Sequence, residues 1–171
     1  MDYYESVVMT YLRADRAIFV NTECCVQINP AKNPDTSGPH WYCDAVVADF
    51  RLKISFLCEI SYSVHLADLI KRLKDWHENW DGIRHALARD SFLPRDWPTR
   101  PWLFVPEKCI PILLAGLDRI GMGQPLAFTP RITPLEMVQP WCYCGWALIG
   151  EKCCDQHPRA KPTSIPPEMA N

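Results

Sequence analysis

The chain has 171 residues, a formal net charge of −2, and 48% hydrophobic against 22% charged residues, which is ordinary for a globular domain. This balance excludes a collagen-like, coiled-coil or wholly disordered chain. The near-zero charge excludes a protein that holds nucleic acid by bulk positive charge, so any such contact is local.

No run of about 18 apolar residues occurs, so no membrane helix is expected. The opening MDYYESVVMT has an acid at position 2 and no basic stretch, so no secretory signal is expected either. Nine cysteines, an odd number, without an export signal read as reduced thiols in the cytoplasm. The length fits one domain over 1–150, its core in 1–120, with a flexible Pro-rich tail over 151–171.

In chain order, residues 2–16 read as a helix, with Tyr4, Val7, Val8, Tyr11 and Leu12 at helical spacing and Asp2 with Glu5 as a capping pair. Residues 17–28 (AIFVNTECCVQI) read as a strand, and 29–39 as a loop. HWYCDAVVADF and RLKISFLCEISY, within 40–62, read as a hairpin turning between Arg51 and Leu52. That turn pairs Phe50 with Lys53, Val46 with Leu57 and Asp44 with Glu59, although Arg-Leu lacks the usual Asn-Gly turn chemistry.

Residues 64–89 form the clearest helix, with the apolar stripe Leu66, Leu69, Ile70, Leu73, Trp76, Trp80, Ile83 and Leu87 and with Ser63 as its cap. Trp102–Val105 reads as a short strand and 107–120 as a helix stopped at Gly121-Met122-Gly123. Thirteen of sixteen prolines lie in 94–171, so the second half is expected to be short elements and loops. The fold class is mixed α/β, with the order α-β-β-β-α-β-α and then an irregular part.

Cys24, Cys25, Cys43 and Cys58 lie in strand-like segments and read as small packing hydrophobes. Cys142, Cys144, Cys153 and His157, with Cys154, could hold structural Zn²⁺, but their spacing lacks paired C-x2-C knuckles, so free thiols are the default. Trp97, Trp102 and Trp141 lie in proline-rich segments, as loop packing or as a contact patch.

The chemistry centres on the hairpin. Asp44 and Glu59 are carboxylates inside apolar strands, and facing acids repel unless a cation lies between them. Mg²⁺ or Mn²⁺ suits such a pair, with the Ile60 carbonyl as a further oxygen ligand, and can activate water against a phosphodiester. Alternation puts Ser61 on the same face as Glu59.

Asp44, fourteen intervening residues, then Glu59-Ile60-Ser61 on the next strand resembles the PD-(D/E)XK nuclease superfamily, over roughly residues 1–120. The resemblance implies a restriction-endonuclease-like fold, a central mixed sheet flanked by helices, and Mg²⁺-dependent cleavage of DNA. It makes Asp44 and Glu59 metal ligands and Glu5 an accessory helix acid.

The sequence departs from the pattern at Ser61, which stands where the family has lysine, and a hydroxyl cannot replace a cation. Lys53 lies near the distal turn, so Lys71 or Lys74 on the long helix is the expected substitute. Alternatively the site is degenerate and the protein is an interaction module, binding a partner protein or nucleic acid, for example in a phage or defence system. A homodimer is compatible with double-strand cutting. The plainer readings stay open beside these: Asp44 as a strand-edge acid, Glu5 as a helix-start acid, and Lys71, Arg72 and Lys74 as a solvated face.

Overall fold

The computed structural model describes residues 3–91 and 93–139. Helix α1 (Tyr3–Arg13) buries Val8, Met9 and Leu12, the stripe its spacing sets. Strands β1 (Ile18–Gln27), β2 (His40–Asp49) and β3 (Ile54–Ile60) then form an antiparallel meander. Helix α2 (Ala67–Asp90) crosses over to β4 (Thr99–Val105), which lies parallel to β3. Helix α3 (Ile110–Gly121) crosses over to β5 (Arg131–Pro134), parallel to β4. The sheet order is β1-β2-β3-β4-β5, a mixed sheet whose parallel half is made by helical crossovers.

The hairpin has the register that its turn position dictates: Val46 faces Leu57, and the ladder runs from Asp49↔Ile54 to Ala45↔Cys58. Its four-residue turn needs no Asn-Gly, because Asp49 Oδ1 accepts the backbone N–H groups of Arg51 and Leu52, both at 2.9 Å. Lys53 takes the left-handed conformation, φ 53°.

Two apolar cores sandwich the sheet. Leu57, Leu103 and Val105 meet Leu73, Trp76 and Ile83 of α2 and Leu113 of α3 on one face. Phe56, Cys58, Trp102 and Phe104 meet Val8 and Leu12 of α1 on the other. Trp102 is therefore core, while Trp97 is half-buried against Phe50 with ring centroids 5.1 Å apart. Among the described cysteines, Cys43 and Cys58 are buried thiols and Cys24 and Cys25 half-buried ones.

Several boundaries differ from the sequence reading. Ser63 does not cap α2; the helix starts after Leu66, which is buried in a left-handed conformation with no side-chain cap. β4 begins three residues earlier than expected, despite Pro101. Amides of Ser55 and Ser61 bond to the carbonyls of Pro98 and Phe104, so even-numbered groups of β4 face β3. Pro101 therefore faces the β5 side, before that ladder begins at Trp102, and no N–H is missed there. β5 is an additional strand inside the stretch read as irregular. Asp2, Trp141, the cysteine and histidine group at 142–157 and the tail over 151–171 lie outside the described residues.

Candidate functional site

The acids lie where β2 parts from β3. Odd-numbered amides of β3 bond to β4, so its even-numbered amides face β2. The last β2–β3 ladder pair is Ala45↔Cys58. The next amide toward β2, that of Ile60, donates to the side chain of Asp44 instead, with N to Oδ2 at 2.6 Å. The Asp44 carboxylate thus substitutes for a strand carbonyl at the fork. A strand residue's N–H and C=O point the same way, so the Ile60 carbonyl faces the same fork.

A break in alternation explains why Asp44 can do this. On β2, Ala45 and Val47 join the α1-side core, yet Cys43 joins the α2-side core together with Val46. On β1, Ile18 and Val20 pack on the α1 side and Cys24 and Val26 on the α2 side. The β1–β2 ladder passes from Thr22↔Ala45 to Cys24↔Cys43, skipping Glu23 and Asp44. Glu23 has φ 55°, the left-handed region that costs a residue with a Cβ. Both strands turn over at this point, so simple alternation misplaces Asp44. It lines an opening of about 360 Å³ with Glu5, Met9, Thr22, Glu23, Tyr42 and Cys43. Glu5, from the first turn of α1, therefore shares a space with Asp44.

Glu59 is placed differently. It follows Leu57 by two residues and so faces α2, where it is 5% exposed. Arg72 of α2 reaches it, Nη1 to Oε2 at 2.5 Å, and also donates to the Tyr42 carbonyl at 3.0 Å. The other carboxylate oxygen, Oε1, is buried and has no hydrogen-bond partner among the described residues. Burial pushes the Glu59 carboxyl up from 4.5 to about 7; Arg72 pulls against this and the charge of Asp44 adds to it. Asp44 and Glu59 thus feel each other, although Glu59 does not line the opening that Asp44 shares with Glu5.

Ser61 is half-buried, with its amide bonded to Phe104, and Lys71 is exposed. Lys74 lies 3.9 Å from Glu78 on its own helix. The basic group that reaches the acids is Arg72, which the sequence reading grouped with its lysine neighbours. Its spacing carried a signal, since Arg72 lies three residues after Leu69 and four before Trp76, both buried.

Among the described residues, no three His, Cys, Asp or Glu side chains converge as a preassembled metal cluster. Mg²⁺ needs no such cluster: it commonly takes one or two carboxylates, with waters and substrate phosphates filling the rest. The carboxylates of Asp44 and Glu59, the oxygen donors such an ion would take, lie on neighbouring strands, Asp44 in the opening beside Glu5 and Glu59 facing α2. No family model, curated protein or solved structure matches this chain.

Proposed function

We propose that this protein is a metal-dependent phosphodiesterase of restriction-endonuclease-like fold, cutting DNA with Asp44 and Glu59 as the ligands of Mg²⁺ or Mn²⁺. The observation that carries the reading is the buried Glu59 carboxylate, one oxygen of which has no partner among the described residues while the other is held by Arg72. Leaving such an oxygen desolvated is costly, and a cation offsets the cost. The element order supports it too: a helix bearing Glu5, a hairpin bearing both acids, then a long helix. The described cysteines, all unpaired, support a cytoplasmic setting.

A divalent ion bound here supplies charge neutralisation at the phosphate and a water of lowered pKa. Asp44 and Glu59 hold it, and the Ile60 carbonyl faces the same fork. Glu5 lines the approach beside Asp44 and orients water there by hydrogen bonding. Arg72 provides the positive charge that Ser61 does not. A guanidinium stays protonated, so Arg72 stabilises charge and positions Glu59 rather than acting as a base.

A second reading has its own observation. Arg72 already neutralises Glu59, and Ser61 brings no charge, as in a site that has lost its chemistry and serves as an interaction module for a partner protein or nucleic acid. One experiment separates them: single-stranded, double-stranded and branched DNA, with RNA, incubated with Mg²⁺, Mn²⁺ or EDTA. The nuclease reading expects metal-dependent cutting that is lost in Asp44→Asn and Glu59→Gln. Cutting that survives both substitutions refutes the assignment, and no cutting of any substrate favours the interaction module.

A further inference from the structure

Two arginines outside the acid site share an unusual setting. Arg100 is the second residue of β4 and Arg131 the first of β5. Trp102 and Phe104 of β4 and Thr133 of β5 face the α1 side, as the Trp102 Nε1 to Thr133 Oγ1 bond at 2.9 Å requires. Alternation places both arginines on that face. Trp102 is the register partner of Arg131, so Arg100 stands two residues back on the adjacent strand, about 8 Å away at Cα from strand spacing and rise.

The Arg131 guanidinium lies over Trp102, 3.8 Å from the ring centroid, and 5.7 Å from that of Phe56. Its Nε is buried and has no hydrogen-bond partner among the described residues. Arg100 uses its Nε on the Thr129 carbonyl at 2.7 Å. Both residues are half-buried, and no ion pair to either occurs among the described residues. Burial lowers both guanidinium pKa values, and the charge of Arg100 further lowers that of Arg131.

The titratable groups acting on Arg131 are Tyr11, Asp49, Arg100 and Cys58. Asp49 spends an oxygen on two turn amides. The fixed charge of the cluster is therefore positive. Two guanidinium forks on one face of neighbouring strands are suited to an oxyanion with several acceptors.

We propose that Arg100 and Arg131 form a binding site for a phosphate group, with Trp102 holding the Arg131 guanidinium flat. The site lies on the α1 face of the sheet, opposite to the face that carries Glu59, and it stands whether or not the acids cut. Its ligand is a phosphate monoester, a free phosphate or a nucleic-acid diester, and the test distinguishes them.

Inorganic phosphate, a 5′-phosphorylated oligonucleotide and its unphosphorylated twin are titrated at constant ionic strength into the full chain and into Arg100→Gln and Arg131→Met. Met retains apolar contact with Trp102, and circular dichroism checks folding. Each substitution is expected to weaken phosphate binding about tenfold or more, as loss of a charge-assisted hydrogen bond does. Preference for the phosphorylated oligonucleotide marks a terminal or free phosphate, and equal binding of the twins marks a diester. Independently of any variant, phosphate should protect Arg100 and Arg131 of the wild-type chain from phenylglyoxal while Arg84 and Arg95 react as before. Unprotected arginines, or phosphate binding unchanged in both variants, overturn the proposal.

Discussion

Glu59→Gln should change how stability depends on pH. The Glu59 carboxyl titrates near 7 in the folded chain because burial penalises its charge, against 4.5 for an unperturbed glutamate. Between those values the folded state keeps a proton that the unfolded state has lost. The sign follows: the stability linked to this group is fully present below pH 4.5 and is lost as the pH rises through about 7. Its span is about 3 kcal/mol. With the group buried, solvent screening removes little of this.

Glutamine keeps the shape and takes no charge. Arg72 tolerates the loss of its partner better than Glu59 would, because 36% of its side chain is exposed and can turn to water. Urea unfolding of both proteins at pH 5, 6, 7 and 8.5 gives the difference in stability at each pH, in which groups common to both cancel. The difference should move in favour of Glu59→Gln by about 2.5 kcal/mol from pH 5 to 8.5, since part of the span is already lost at pH 5. A difference that stays flat across that range would refute the argument that burial governs this carboxyl.

Arg72→Met strands the buried carboxylate and should cost roughly 3–5 kcal/mol at pH 8.5, but much less at pH 5, where Glu59 holds a proton; equal losses at both pH values would contradict this. Gly116→Ala should destabilise by about 1–3 kcal/mol, because an added Cβ would lie 2.8 Å from Ile70 Cδ1 where α3 meets α2; thermal unfolding measures it. Asp49→Ala removes the acceptor of two amides in the β2–β3 turn and should cost about 1–3 kcal/mol. By contrast, Arg51→Ala, which breaks an exposed pair with Asp15, should cost under about 1 kcal/mol, and a larger loss than for Asp49→Ala in denaturant titrations would reverse the ranking.

The mixed α/β class and the hairpin register were legible because the two runs around Arg51 are apolar, lack glycine and proline, and allow one turn position. Helix α2 was legible from its stripe, since Leu69, Leu73, Trp76, Trp80, Ile83 and Leu87 are all buried. β5 was not: four residues ending in proline are too short to show a period, and a parallel edge strand is defined by its neighbour. Nor was the face of Asp44. The reversal at Glu23 is held by a left-handed residue that is not glycine, so nothing in the sequence marks it. Arg72 was half legible, since its spacing from Leu69 and Trp76 points it toward the sheet while Lys71 and Lys74 on either side suggest solvent.

The central claim is that Asp44 and Glu59 hold one divalent ion. The most direct measurement is Mn²⁺ binding at pH 8, followed by electron paramagnetic resonance of the free ion, for the wild-type chain, Asp44→Asn and Glu59→Gln. One tight ion per wild-type chain, displaced by Mg²⁺ and absent in both variants, is the predicted result. Equal binding by all three proteins, or none by the wild type, would contradict the account and leave Asp44 and Glu59 as structural acids held by the Ile60 amide and Arg72.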